Sequence, residues 1–275
     1  MGPIGCIMGR ASQEPDTVSH PVLTASAYRG GAGFTLMELL VVVAIIALLI
    51  GVLAPSLMGA KDQARAVLCL TNLRQMATAA ETYAACQRGY YPIAYWYSAD
   101  LTVSYGWDFT RRMGTTPGGP AITVEPGLLW QNAGSEMRVH QCPSYQGPSN
   151  SLADPYTGYN YNTSYIGHGQ RESIPAPAKT DDVKFPGRCA LFGDGQYRDG
   201  ANKFMRAPRS NPGDAQFSDT FRYAGTQGYR HLGKTNVAFC DGHAVAWSEC
   251  YSAGVPNVAE GTGFLSADNA AYDPQ

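Results

Sequence analysis

Lysine and glutamate are scarce in this chain, a basic excess is absent, and no two cysteines stand as Cys-x-x-Cys. Each absence closes off a class of function. The formal net charge is −2, and beyond residue 60 the count is 18 Lys and Arg against 19 Asp and Glu. That leaves no positive field for a nucleic acid partner and no acidic tail. Without a Cys-x-x-Cys pair, a zinc ribbon or a thioredoxin-like redox motif has little support. The chain also lacks Gly-x-Ser-x-Gly, His-Glu-x-x-His, a phosphate loop, and a Gly-x-Gly-x-x-Gly following a strand, so it reads as not an enzyme. With 31 Gly, 18 Pro and 17 Tyr, long helices are unexpected past the N-terminal third, and a loop-rich β structure is expected there.

What is present is a long apolar run. Residues 39–53, LLVVVAIIALLIGVL, hold no polar side chain, and from Phe34 to Ala60 the single charged residue is Glu38. As a helix those residues would be about 40 Å long, enough to span a bilayer. Three readings compete: a plain transmembrane anchor, a secretory signal with LMGA before Lys61 as a poor cleavage site, and a helix that is cleaved and then polymerised. Glu38 favours the third. A carboxylate at the hydrocarbon rim costs a few kcal/mol unless it has a partner, and an anchor or signal gains nothing from it. A cut before Phe34 would create an α-amino group one turn from Glu38, and a neighbouring copy's amine could then pair with that carboxylate.

The stretch GFTLMELL, residues 33–40, resembles the processing site of type IV prepilins and type II secretion pseudopilins. Gly33 precedes the cut, Phe34 becomes the first residue, Glu38 the fifth, and Pro55 falls at mature position 22, where such helices often carry a kinking proline. The resemblance implies cleavage by prepilin peptidase, N-methylation of Phe34, and assembly with other pilin or pseudopilin subunits from the bacterial inner membrane. The leader departs from the short basic pattern, since residues 1–33 carry Glu14 and Asp16 beside Arg10 and Arg29. It is read either as unusually long or as starting nearer Arg29, and 1–33 is set aside from the fold. A second resemblance lies at His231, nine intervening residues, then Asp241-Gly242, similar to the His-x9-Asp-Gly signature near the end of many prepilin-like proteins. CLTNLRQM (69–76) and QCPSY (141–145) also resemble stretches of that group.

Apolar or small residues at Ala66, Leu70, Leu73, Ala77, Ala80 and Ala84 continue a helical period beyond the apolar run, with Arg65, Arg74, Gln75 and Glu81 mostly off that face. The expected helix spans Thr35 to Ala85, bent or broken near Pro55. Three parts result: a leader (1–33), a helix (34–88, with 34–57 transmembrane) and a β-rich domain (89–275). Within the last, 158–169 reads as a tyrosine-rich alternating segment and 189–195 as a buried strand ending in a turn. Residues 235–249 read as a hairpin with a type I′ turn at Asp241-Gly242, and 111–127 and 198–220 as long surface loops.

Among chemically capable residues, Cys69, Cys86, Cys142, Cys189, Cys240 and Cys250 lie beyond the apolar run. An even number in an oxidising compartment is compatible with up to three disulfides, the simpler alternative being buried thiols. His231, Asp241 and His243, completed by Asp194 or His168, could form a metal site. The simpler reading has Asp241-Gly242 making the turn and His231 bonding a backbone carbonyl or the Asp241 carboxylate. GDGQYRDG (193–200) places Asp194 and Asp199 at calcium-like spacing, without the acidic density or terminal glutamate of an EF-hand; a surface turn is the simpler reading. Cys142 has His140 nearby in sequence, which by itself makes no dyad. The tyrosines at 156–165 could face a glycan or a partner, but packing explains them as well.

The expectation is therefore an α+β chain of pilin-like build, a long helix packed on a small antiparallel β-rich domain. It would act as a structural subunit in the inner membrane, with its domain periplasmic or extracellular, no cofactor required and no nucleic acid partner. The alternative is a membrane-anchored exported binding protein that does not polymerise.

Overall fold

A computed structural model describes residues 33–116, 119–131, 141–149, 154, 158–170, 176–198, 200–211 and 219–275. The chain divides into two compact units after Val52. In the first, Gly33, Phe34 and Thr35 precede a helix, and every described side chain is exposed. That helix, α1, runs from Leu36 to Cys86. It is long and apolar enough to cross a membrane.

Of the bend or break expected near Pro55, the break is absent, α1 being helical on both sides of it. A proline removes one donor, here the one that would serve the Gly51 carbonyl, rather than a whole turn. Ser56 Oγ adds a bond of its own to the Leu53 carbonyl at 2.8 Å.

In the second unit, α1 buries Cys69, Asn72, Leu73, Met76, Ala77, Ala79, Ala80 and Ala84. The face predicted from periodicity is thus found, with Ala66 and Leu70 half-buried at its start. Small residues let the helix sit close to what it covers. Arg74 reaches the Ala244 carbonyl and Asn236 reaches that of Ala66, both at 3.2 Å. The helix ends where Arg88 and Gly89 adopt positive φ, 56° and 86°, the left-handed stop that glycine favours.

Eleven strands are described. β1 (Tyr95–Tyr97), β2 (Val103–Gly106), β3 (Phe109–Thr116) and β4 (Gly119–Pro126) form an antiparallel meander. The loop expected over 111–127 is instead the β3–β4 hairpin. Its polar and β-branched residues suit strands exposed to water on both sides, and Arg112 meets Glu125 across it at 3.1 Å.

The central sheet has the order β10-β9-β6-β5-β7, from Ala244–Trp247, Thr235–Phe239, Ala190–Gly193, Asn160–Asn162 and Phe204–Met205. Its pairs are antiparallel except β5 with β7. The buried strand predicted at 189–195 is β6. The segment 158–169 gives only the three residues of β5, all buried, because both faces of this sheet are covered and alternation has nothing to report. Within 198–220, expected as loop, β7 completes the sheet and a 3-10 turn begins at Asp219; residues 212–218 lie outside the described residues. A further pair joins β8 (Gln227–Gly228) to β11 (Thr262–Gly263).

Successive residues of β9 serve opposite cores. Ala238 packs with Leu73, Met76, Tyr161 and Phe192 on the α1 side. Val237 and Phe239 pack with Met205, Phe264 and Tyr272 on the other.

Candidate functional site

Just before α1, Gly33 and Phe34 are exposed and non-helical. Thr35 and Glu38 form a reciprocal cap. The Thr35 N–H and hydroxyl donate to Glu38 Oε2 at 2.9 and 2.8 Å, and the Glu38 N–H donates to Thr35 Oγ1 at 3.2 Å. This is the capping box of a helix start. Glu38 therefore has a use inside one chain, which the argument from lipid cost alone overlooked. The signal was in the sequence as Thr35-x-x-Glu38.

A second constellation lies inside the domain, drawn from four distant segments. Cys69 comes from α1, Cys142 from the 141–145 segment, Asp194 from the end of β6, and His231 from the turn before β9. Pairing of β6 with β9 sets Asp194 beside Asn236, whose N–H donates to Asp194 Oδ2 at 2.6 Å. Leu232 and Gly233 have φ of 56° and 78°, the paired positive values of a two-residue reversal. That reversal turns His231 inward, its ends closed by mutual hydrogen bonds with Lys234.

The four ligating atoms all lie within 4.8 Å of one another, and all four residues are buried. Cys69 Sγ stands 3.4 Å from Cys142 Sγ and 3.0 Å from Asp194 Oδ1. His231 Nε2 is 3.1 Å from Asp194 Oδ2 and 3.6 Å from Cys142 Sγ. Arg230 closes the cluster, 3.2 Å from Asp194 Oδ1 and 3.3 Å from Cys142 Sγ, and it also donates to the Gly158 carbonyl.

Burial opposes the charge on Asp194, but Arg230 and then His231 outweigh it and hold the carboxyl below its ordinary pKa. Burial likewise disfavours the His231 imidazolium, yet contact with Asp194 and Cys142 pushes its pKa up to about 9. A thiol nucleophile does not follow from this arrangement. Asp194 and Cys142 share Nε2, whereas an orienting carboxylate would hold Nδ1 and leave Nε2 for the sulfur. His231 Nδ1 has no partner among the described residues, and Cys142 is only 1% exposed.

The remaining sequence candidates separate. His231 bonds Asp194, not Asp241. Asp241 and His243 are partly exposed at the β9–β10 turn, where Asp241 Oδ1 accepts the His243 N–H at 3.1 Å and touches its Nδ1. The turn is not type I′. Only Gly242 has positive φ, 84°, and its N–H donates to the Phe239 carbonyl at 3.0 Å, giving a three-residue loop that ends in a left-handed glycine.

Asp194 is fully buried, so the surface turn read from GDGQYRDG is confined to its second half, where Tyr197 and Gly200 exchange backbone hydrogen bonds and Arg198 is exposed; Asp199 lies outside the described residues. His168 is buried elsewhere, its carbonyl accepting the Ala94 N–H. Tyr159 and Tyr161 are core residues. Cys69, Cys86, Cys142, Cys189, Cys240 and Cys250 are free thiols, with Cys86 and Cys250 exposed. His140 lies outside the described residues.

No curated protein and no solved structure matches the chain. Residues 29–54, which span the Gly33–Phe34 bond, the Thr35–Glu38 cap and the first turns of α1, match the family described as the prokaryotic N-terminal methylation motif.

Proposed function

We propose that the chain is a structural subunit of a pilus-like or secretion-pseudopilus fibre. In this reading prepilin peptidase cuts after Gly33, Phe34 is N-methylated, and residues 34–57 hold the subunit in the inner membrane with the domain on the far side. Assembly then transfers that segment from lipid to a bundle of identical or related helices. Glu38 pairs with the Phe34 amine of an adjacent subunit, an ion pair that gains strength in a dry environment.

The observation that carries the reading is the methylation-motif match over residues 29–54. The exposed apolar stripe from Leu36 to Leu53 supplies the surface that neighbours would cover.

Mass spectrometry of protein purified from its native cells tests the reading. A chain starting at methylated Phe34 is expected, and one starting at Lys61 or retaining residues 1–33 overturns it. The second reading, a membrane-anchored exported domain that stays monomeric, draws on the Thr35–Glu38 cap, because the carboxylate is then useful without neighbours. Glu38→Ala separates them. Loss of fibres with normal membrane insertion supports the subunit, and the absence of fibres from the unaltered chain as well supports the anchor.

A further inference from the structure

We infer that Cys69, Cys142, Asp194 and His231 form a binding site for one zinc ion inside the domain. Four atoms that zinc accepts, two sulfurs, an imidazole nitrogen and a carboxylate oxygen, converge on a common point from four separate segments. With Zn–S near 2.3 Å and Zn–N or Zn–O near 2.0 Å, neighbouring ligands of a tetrahedral ion stand about 3.3–3.8 Å apart. Here the two Asp194 oxygens stand 3.0 Å from Cys69 Sγ and 3.1 Å from His231 Nε2, the sulfurs are 3.4 Å apart, Cys142 Sγ is 3.6 Å from His231 Nε2, and every pair of ligand atoms lies within 4.8 Å, so shifts of about an ångström or less reach that range.

Charge agrees with the geometry. Two thiolates, a carboxylate and a neutral imidazole hold three negative charges in a site away from water. A divalent ion and the adjacent Arg230 guanidinium bring the total to zero, which a buried site requires. Outer contacts are in place as well. The Asn236 N–H and Arg230 fix the Asp194 carboxylate, the kind of support that orients metal ligands. Two sulfurs exclude calcium, which takes oxygen ligands, and favour a softer ion.

A Cys69–Cys142 disulfide would engage only two of the four groups. The ion would fasten α1 to β6 and to the β9 approach, so its role is structural. All four first positions are filled from the protein, which leaves no open place for a substrate.

The test uses the full chain, purified from membranes in detergent without chelator, and then exposed to zinc or cobalt(II). About one zinc per chain by elemental mass spectrometry is expected. Cobalt should give intense visible bands of a tetrahedral ion and a near-ultraviolet sulfur-to-cobalt charge-transfer band. Cys69→Ser and His231→Gln should each lower zinc occupancy at least tenfold, while Cys86→Ser, outside the cluster, keeps it. If the variants fail to fold, the cobalt spectrum of the unaltered chain still decides. Weak octahedral bands without the sulfur transition, a metal-free protein after zinc exposure, or a Cys69–Cys142 disulfide in non-reducing peptide maps would each overturn the proposal.

Discussion

A single carboxylate, Glu38, illustrates how residue chemistry is shared between duties. In one chain it accepts the Thr35 N–H and hydroxyl. In a fibre it would meet a neighbour's amine. The two duties are separable. Thr35→Ala removes the reciprocal acceptor for the Glu38 N–H and frays the first turn, but leaves the carboxylate available. Fibres sheared from cells and quantified by immunoblot are therefore expected from Thr35→Ala and not from Glu38→Gln. Equal loss in both variants would assign Glu38 to capping. This part of the molecule was legible because its chemistry is local, with every partner within four residues. The buried cluster was not. Cys69 stands between Leu68 and Leu70 on α1, and its partners lie 73 and 125 residues away. His231 drew attention as half of a signature, yet its carboxylate partner is Asp194, chosen by the β6–β9 pairing rather than by proximity in sequence.

Among the elements, α1 was read almost to the residue, since an amphipathic period of 3.6 reports the buried face directly. The sheet was harder. The β9–β10 hairpin was found, but its turn was assigned to the wrong class, because Asp-Gly suits both a two-residue reversal and a three-residue loop ending in glycine. The distinction predicts different tolerance. Gly242 alone needs φ of 84°, and a Cβ there would meet Glu81 Oε1 at an ordinary 3.5 Å. Gly242→Ala should thus cost about 1–2 kcal/mol from backbone strain alone, and Gly242→Asn less, as asparagine tolerates the left-handed region. Thermal unfolding of both variants checks this; a larger loss for Asn than for Ala would contradict it. Residues 111–127 were misread as loop because a hairpin exposed on both faces shows no apolar alternation for a sequence reading to detect.

For the molecule as a whole, the two units have opposite relations to water. Every described side chain from 33 to 52 is exposed and most are apolar, while the second unit closes two cores around one sheet. Fractionation should follow. The full chain is expected in the membrane pellet, resistant to alkaline carbonate and released by detergent. A chain lacking residues 1–53 is expected in the soluble fraction. Recovery of the full chain as soluble protein would remove the basis for a lipid-spanning segment.

The contact between Arg74 and the Ala244 carbonyl, like that between Asn236 and the Ala66 carbonyl, joins positions 170 residues apart. The first-synthesised part of the domain is thus completed by nearly the last. During synthesis the α1 face is partly covered by β5 and β6 and fully covered only when β9 and β10 have emerged. Closure then comes late and, with partners so far apart along the chain, slowly. A chaperone would find its clearest target in the incompletely covered Leu73–Ala84 stretch during that interval.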